Sequence, residues 1–371
     1  MLQNLRSSLP VSSLPGSPDP AMTEATRLVR TGRLSDATAL IRRTLDGQPS
    51  TAAGAPNLTV AQGPAGGRTG RLDRVLRQLP DVRAHMTGAT SRAEVPTTLP
   101  GSVRTGVHRS AAGKRPYRLY VPSTGATSPR PLLVMLHGGT QDGATFAGST
   151  GMDAVAQEHG LLVVYPEQVT SANPMRYWNW FSDQQRTSGE PAIIAGIISE
   201  MVATEDADPS RVYVAGFSAG AAMAAVLAGT HPDVVAAVGI HSGLAAGAAD
   251  DVSSAFAAMR SPGPARRLAR PVPAITFHGD SDPTVSIANS GRLTDQFGPG
   301  TRPEIQRGTV AGGRSYTVSR HDDGNGTMLE QWVVHGMAHA WSGGAAGHSY
   351  TDPSGPDASG EMVRFFLDHH R

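Results

Sequence analysis

From about residue 116 onward, the chain alternates short apolar runs of strand length with longer segments of helical periodicity. Strands are predicted for the apolar runs Tyr117–Val121, Leu132–Leu136, Leu161–Tyr165, Val212–Ala215, Ala236–Ile240, Ala274–His278 and Gln331–Val334. Helices are predicted at Met152–His159, Ala192–Thr204, Ala219–Gly229 and Gly360–His370. Because strands that alternate with helices form right-handed crossovers, this pattern predicts a mostly parallel sheet with helices on both faces. Sites in such sheets lie at the carboxyl ends of the strands, so we expect the chemistry there.

The first third of the chain has a different character. Residues 1–20 are rich in Ser and Pro without periodicity and are expected to form a disordered leader. Residues 21–46 carry apolar positions at helical spacing, interrupted at Gly32, which predicts a helical hairpin that packs on the rest of the protein or contacts a partner. Residues 47–112 are rich in Gly, Ala, Thr and Pro and are interpreted as a linker, so the main folded domain is expected to span 113–371.

Composition narrows the possible functions. A net charge of +1 gives no electrostatic reason to expect nucleic acid or an anionic membrane surface as a partner. The chain has no cysteine, which excludes disulfides, thiolate metal sites and a cysteine nucleophile. No apolar run is long enough to span a bilayer, and the N-terminus shows no clear secretory signal. Neither H-E-x-x-H nor a phosphate-binding loop is present, so neither a metal nor an organic cofactor is expected.

The strongest chemical motif is the segment G-F-S-A-G at 216–220. It follows the apolar run Val212–Ala215 and precedes an Ala-rich helix. This is G-x-S-x-G in the strand–turn–helix context of a nucleophile elbow, where a sharp turn projects the serine into a cleft. Ser218 is therefore the candidate nucleophile, and the free N–H groups at the start of the following helix would favour an oxyanion.

A second glycine turn, H-G-G-T at 137–140, follows an early apolar strand. This is where α/β-hydrolases place their second oxyanion donor. We expect the backbone amides of Ala219 and Thr140 to be the donors, with Gly139 as the alternative to Thr140. His137 is interpreted as structural, because it lies inside the turn and precedes the nucleophile.

The acid and the base are expected to follow the nucleophile in that order. The strand Ala274–His278 leads into H-G-D-S-D-P-T-V, where Asp282 lies at the tip of the loop and Asp280 is interpreted as fixing the turn. His339 follows the last predicted strand in a loop and is the candidate base. His335 lies at the strand end itself, and His348 is the second choice.

These segments together resemble the polyhydroxybutyrate (PHB) depolymerase family of esterases over about residues 115–370. Outside the elbow and the acid loop, the similarity lies in N-P-M-R-Y-W-N-W-F at 173–181, R-V-Y-V-A-G at 211–216, V-G-I-H-S-G-L at 238–244 and G-M-A-H-A-W at 336–341. The resemblance implies the α/β-hydrolase fold. It also implies that Ser218, Asp282 and His339 form a catalytic triad.

The chain departs from the family at two positions where members often have cysteine. Gly139 and Tyr177 stand there instead, so a disulfide that the resemblance would suggest is missing and the glycine turn must be held by packing. The resemblance implies export from the cell, whereas the N-terminus indicates a cytoplasmic location or a non-classical route. Members of the family that attack solid polymer often add a substrate-binding domain after the catalytic domain. The chain is expected to end with its catalytic domain, which weakens the case for crystalline polymer as the substrate.

The predicted function is a carboxylic ester hydrolase that works through an acyl-enzyme on short-chain hydroxyalkanoate esters or oligomers. The side chains of Trp178, Asn179, Trp180 and Trp341 are the candidates for substrate contact, since aromatic groups near a cleft suit such acyl groups. Feruloyl or acetylxylan esterases and acyltransferases share the fold and remain alternatives. A non-catalytic binding protein on a hydrolase scaffold is a more distant one, and the 21–46 hairpin could act as an adaptor.

Overall fold

A computed structural model describes residues 99–124 and 129–371. The predicted leader, the helical hairpin and most of the predicted linker lie outside these residues. The strands are β1 (Ser102–Ser110), β2 (Gly113–Val121), β3 (Arg130–Leu136), β4 (Leu162–Pro166), β5 (Ala207–Phe217), β6 (Ala237–His241), β7 (Ala274–Gly279), β8 (Glu304–Thr309), β9 (Ser315–Asp322), β10 (Thr327–Val334), β11 (Trp341–Ser342) and β12 (Thr351–Asp352). The helices are α1 (Gly143–Thr150), α2 (Met152–His159), α3 (Gly189–Thr204), α4 (Ala219–Thr230), α5 (Val252–Arg260), α6 (Ala288–Phe297) and α7 (Ala358–Leu367).

Within the described residues, the main sheet has the strand order β1-β2-β4-β3-β5-β6-β7-β10-β9-β8. Its centre, from β4 to β10, is parallel. Antiparallel strands extend it at both edges, β1 and β2 on one side and β9 and β8 on the other. The predicted class, a mostly parallel sheet covered by helices, is confirmed, and the arrangement is that of an α/β-hydrolase.

The central strands are buried on both faces, because successive side chains point to opposite sides of a strand. In β3, Leu132 and Val134 pack into one core together with side chains of α3 and α4. Leu133 and Met135 pack into a second core together with side chains of α1, α2 and α7. This two-sided burial explains why the central strands read as continuous apolar runs.

Every strand and helix predicted from residue 116 onward is present, with bounds that differ by a few residues. The longer strands that were not predicted are β1, β8 and β9. β1 and β8 are mostly exposed edge strands and β9 is mostly partly buried, so none of them carries an apolar run. The two-residue strands β11 and β12 were not predicted either. β1 lies inside the 47–112 stretch interpreted as a linker, and that interpretation is therefore wrong for Ser102–Ser110. Helices α1, α5 and α6 were not predicted either. In the described part of the chain, no helix has the length and apolar character needed to cross a bilayer.

Candidate active site

Ser218 lies at the sharp turn between β5 and α4. Its backbone has φ 54° and ψ −117°, a strained region for a residue with a side chain. A Cβ at Gly216 would come within 2.4 Å of the carbonyl carbon of Gly220, and a Cβ at Gly220 within 2.0 Å of the Leu136 carbonyl oxygen. Both flanking positions therefore require glycine. The Ser218 amide donates to the His241 carbonyl at 2.9 Å, which ties the turn to β6.

Asp282 and His339 form a buried pair at the neighbouring strand ends. The Asp282 side chain is fully buried, and its Oδ2 lies 2.7 Å from His339 Nδ1. Its Oδ1 accepts hydrogen bonds from the amides of Thr284 and Val285, both at 2.8 Å. Because an ionised carboxylate can only accept, Nδ1 of His339 must carry the hydrogen, which leaves Nε2 with a lone pair that can take up a proton.

A second histidine, His278, supports the acid loop from below. Its Nε2 lies 2.8 Å from the Val285 carbonyl and 3.4 Å from Asp282 Oδ2, while its Nδ1 lies 3.2 Å from Ser290 Oγ. Since a carbonyl only accepts, Nε2 carries the hydrogen and Nδ1 accepts from the Ser290 hydroxyl. Burial alone would raise the pKa of Asp282. The contacts with His278 and His339 and the Val285 amide outweigh it and hold that pKa well below its ordinary value.

The sheet brings the Asp282–His339 pair next to the serine elbow. The ring of Phe217, the residue before Ser218, lies 4.8 Å from the His339 ring. The three predicted triad residues therefore lie at one edge of the sheet, at the ends of β5, β7 and β10. This is the arrangement that a nucleophile, a base and an orienting acid require.

The alternative candidates are engaged elsewhere. Asp280 Oδ2 lies 2.8 Å from His335 Nδ1, and its Oδ1 accepts from the Gly336 amide at 2.7 Å, so this half-exposed pair ties two loops together. His348 packs on α1, where a Cβ at Gly148 would come within 2.8 Å of its ring. Within residues 99–124 and 129–371, no cluster of three His, Asp or Glu side chains is arranged to hold a metal ion.

The two expected oxyanion donors differ in their availability. Ala219 is the first residue of α4, so its amide has no acceptor within the helix. The amide of Thr140 donates to the Met175 carbonyl at 2.9 Å, and this bond argues against Thr140, the first choice from the sequence. The amide of Gly139 donates to no other group among the described residues, so the sequence alternative becomes the better candidate.

His137 is structural, as its position in the turn indicated. It is fully buried, its Nδ1 donates to the Gly138 carbonyl at 2.7 Å and its Nε2 accepts from the Gln168 amide at 3.0 Å. Its own carbonyl accepts from Trp178 Nε1 at 3.0 Å. Burial lowers the pKa of His137 to about 4, so the ring is neutral at neutral pH.

Of the four side chains expected to contact substrate, the three tryptophans lie in the core instead. Trp178, Trp180 and Trp341 are only 0%, 4% and 1% exposed. Asn179 is held by buried Glu190, whose oxygens accept from its backbone amide at 2.7 Å and its side-chain amide at 2.8 Å. The burial of the three tryptophans argues against the substrate contact expected for them, and the partly buried Asn179 is engaged by Glu190.

Two tyrosines flank the site, Tyr177, which was noted only as a replacement for cysteine, and Tyr350, which was not predicted. The ring of Tyr177 lies over Gly139, where a Cβ would come within 2.4 Å of it, so the turn is held by packing as the missing cysteines implied. The ring of Tyr350 lies 6.4 Å from His339 and 6.2 Å from Phe217. The available signal for Tyr350 was its position at the end of the Gly- and Ala-rich segment 343–350, which contains no other Phe, Tyr or Trp.

Comparisons with known proteins agree with this arrangement. The model of the family described as Esterase PHB depolymerase matches residues 115–301, half of the chain. Poly(3-hydroxyalkanoate) depolymerase C of Paucimonas lemoignei is 36% identical over 241 residues, which cover 59% of this chain and 57% of that protein. Feruloyl esterase B of Thermothelomyces thermophilus is 34% identical over 140 residues, which cover 37% of this chain and 47% of that protein. The chain spans about half the length of the curated relatives it matches.

Among solved structures, the acetyl xylan esterase from Aspergillus awamori superimposes with a TM-score of 0.54 at 21% identity. The match covers 64% of this chain and 94% of that one. At this identity the likeness shows the fold alone, the α/β-hydrolase fold. The sheet order, the serine elbow and the match over half of the chain together show that this protein belongs to the PHB depolymerase family of esterases.

Proposed function

We propose that this chain is a serine carboxylic ester hydrolase in which Ser218 is the nucleophile, His339 the base and Asp282 the acid. The observation that carries the proposal is the strained Ser218 turn next to a buried Asp282–His339 pair. Strain of this kind persists only where the surrounding structure holds it, and such positions cluster at active sites. Membership of an esterase family supports the same reading.

The proposed reaction has two halves that use the same groups. His339 Nε2 takes the proton of Ser218 Oγ while the oxygen attacks the ester carbonyl, and the amides of Ala219 and Gly139 donate to the resulting oxyanion. The imidazolium, stabilised by Asp282, then gives that proton to the leaving alcohol as the C–O bond breaks. Water attacks the acyl-enzyme by the same route and releases the carboxylic acid together with free Ser218.

Asp282 is well suited to this role because it stays ionised. Its low pKa keeps the carboxylate charged throughout the pH range in which esterases work. His278 donates to the carbonyl of Val285, and the backbone amide of Val285 donates to Asp282. His278 therefore maintains the conformation of the acid loop and takes no part in the reaction itself. A fixed carboxylate in turn fixes the tautomer of His339.

The substrates we propose are short-chain hydroxyalkanoate esters or oligomers. The similarity to a poly(3-hydroxyalkanoate) depolymerase extends over more of the chain than the similarity to a feruloyl esterase, which favours this class. Feruloyl and acetyl esters are the second candidates, because a feruloyl esterase is 34% identical over 140 residues and an acetyl xylan esterase shares the fold. Direct comparison of the three ester classes discriminates between them.

The decisive experiment measures hydrolysis of p-nitrophenyl butyrate by the wild type and by Ser218→Ala. We expect the variant to lose activity by about a thousandfold or more, because the nucleophile is gone. Ser199→Ala is the matched control, since Ser199 is an exposed serine on α3 away from the elbow. A labelled phosphonate ester should attach to the wild type and not to Ser218→Ala.

Two outcomes would contradict the proposal. The first is a wild type without esterase activity, and the second is a Ser218→Ala variant that is as active as Ser199→Ala. Once activity is established, hydroxybutyrate dimer, methyl ferulate and acetylated xylan are tested in parallel. The highest kcat/KM among them assigns the substrate class.

A further inference from the structure

Tyr350 is unusual among the aromatic residues that the structure describes. It is 49% exposed, whereas no other described Phe, Tyr or Trp side chain is more than about a third exposed. Its backbone also lies in the left-handed region, with φ 58°. An exposed aromatic ring in a strained conformation costs stability, which points to a use in binding.

The loop around Tyr350 is held in place by several bonds. The Tyr350 carbonyl accepts from the Trp341 amide at 2.7 Å. The Thr351 hydroxyl is within 2.9 Å of the carbonyls of Ala345 and His348, and the Ala345 amide donates to the Ser149 carbonyl of α1. The exposed ring is therefore presented by a fixed backbone.

The ring stands on the base side of the site. Its centroid lies 6.4 Å from the His339 ring in an edge-on arrangement and 6.2 Å from the ring of Phe217, the residue before Ser218. In the proposed reaction the His339 imidazolium gives its proton to the leaving alcohol, so the alcohol must lie against His339. Tyr350 is thus next to the position that the leaving alcohol would occupy.

Tyr177 faces the same space from the oxyanion side. Its ring lies over Gly139, the candidate oxyanion donor. Burial raises the pKa of Tyr177, and electrostatic repulsion from Tyr350 raises it further. The ester would lie between two aromatic side chains, with its alcohol part towards Tyr350.

We propose that Tyr350 lines the leaving-group side of the cleft and selects esters whose alcohol has an apolar or aromatic body. This inference rests on the proposed esterase function and deepens it. The ester-linked hydroxyacyl unit of an oligoester is such an alcohol, whereas methanol is too small to reach the ring. Burying apolar surface against an aromatic face strengthens binding by about fourfold per methylene group.

The test compares methyl butyrate with benzyl butyrate, which form the same acyl-enzyme and differ only in the alcohol. We expect Tyr350→Ala to lower kcat/KM for benzyl butyrate by about tenfold or more and for methyl butyrate by no more than about twofold. Alanine is the right replacement because it keeps the Cβ, so the backbone strain is unchanged. Tyr350→Phe should retain the activity on both esters.

Val107→Ala is the matched control, because Val107 is 48% exposed on the edge strand β1. It should leave both values unchanged. An equal loss on both esters in Tyr350→Ala would mean that the ring only orders His339, and no loss on either would mean that it touches no substrate. Either result overturns the inference while leaving the proposed function intact. A wild type that hydrolyses neither ester overturns both.

Discussion

His137 shows how a single buried residue can be fixed in one protonation state. Its Nδ1 donates to a carbonyl oxygen and its Nε2 accepts from the Gln168 amide, so only the neutral form with hydrogen on Nδ1 satisfies both partners. A second proton on Nε2 would face an N–H group. The glycine turn that carries Gly139 therefore depends on a neutral imidazole.

We expect the free energy of unfolding to fall as the pH drops from about 6.5 to about 4. Burial lowers the pKa of His137 to about 4, while the unfolded chain keeps a value near 6.5, so in this range only the unfolded chain binds the proton. One such proton removes about 1.4 kcal/mol of stability per pH unit. Fully buried His241, whose pKa burial also lowers, acts in the same direction.

His137→Gln should reduce the dependence of the free energy of unfolding on pH by up to one proton. The reason is that the glutamine side chain does not titrate, while its oxygen can still accept from the Gln168 amide. Urea unfolding at several pH values across that range measures it. The control is His370→Gln, which removes an exposed histidine at the C-terminus and should keep the wild-type slope. A His137→Gln slope equal to that of the wild type would contradict the assignment of a neutral ring.

Single residues also show what can be read from a sequence and what cannot. Ser218, Asp282 and His339 could be placed because each follows an apolar strand of a parallel sheet, and such strand ends lie at one edge. The direction of a side chain within a loop has no such signature. Trp178 was expected in the cleft and is buried, whereas Tyr350 was overlooked and is exposed.

At the scale of elements, the elbow joins β3, β5 and α4 closely enough to leave no space for a methyl group. We expect Gly220→Ala to lower the free energy of unfolding by about 2 kcal/mol or more, because its Cβ would come within 2.0 Å of the Leu136 carbonyl oxygen. Urea denaturation measures the free energy of unfolding. The rate of p-nitrophenyl butyrate hydrolysis should fall as well, because the substitution would displace Ser218.

Gly291→Ala is the control with the opposite expected sign. Gly291 lies in α6 and is exposed, with nothing within 4 Å of a Cβ built there. Alanine should therefore stabilise the protein by about 0.5–1 kcal/mol, because it favours the helix and restricts the unfolded chain. Similar effects of the two substitutions would contradict the close packing of the elbow.

Elements were predictable from the sequence where they are buried. The central strands β3, β4 and β5 contain apolar runs because both faces are covered. The edge strand β8, with the sequence E-I-Q-R-G-T, is exposed along most of its length and shows no periodicity. Helix α1 is composed of Gly, Ala, Ser, Thr and Phe, and its start depends on the side chain of Asp142, which caps the Thr145 amide at 2.9 Å.

At the scale of the whole molecule, β1 closes one edge of the sheet although it was expected to be linker. It pairs with β2 over nine residue pairs. It is also tied to α3 and to the residue that follows it, since His108 lies 2.6 Å from Glu200 in the helix and Arg104 lies 2.7 Å from Glu205. The folded unit therefore begins before residue 113, the boundary expected from composition.

This boundary leads to a prediction for two truncated chains, residues 99–371 and residues 113–371. We expect the longer one to unfold at a clearly higher urea concentration, because removing β1 leaves β2 as an unpaired edge and Glu200 without His108. An unpaired edge also invites pairing between molecules, so the shorter chain should associate in size-exclusion chromatography. Equal midpoints and equal elution volumes would show that β1 adds nothing to the fold.

The strands that precede Ser218, Asp282 and His339 lie at the centre of the sheet, away from β1. Any of the shorter chain that still folds should therefore keep its esterase activity, so a loss of stability without a loss of activity in the folded fraction would show that β1 supports the fold and not the site.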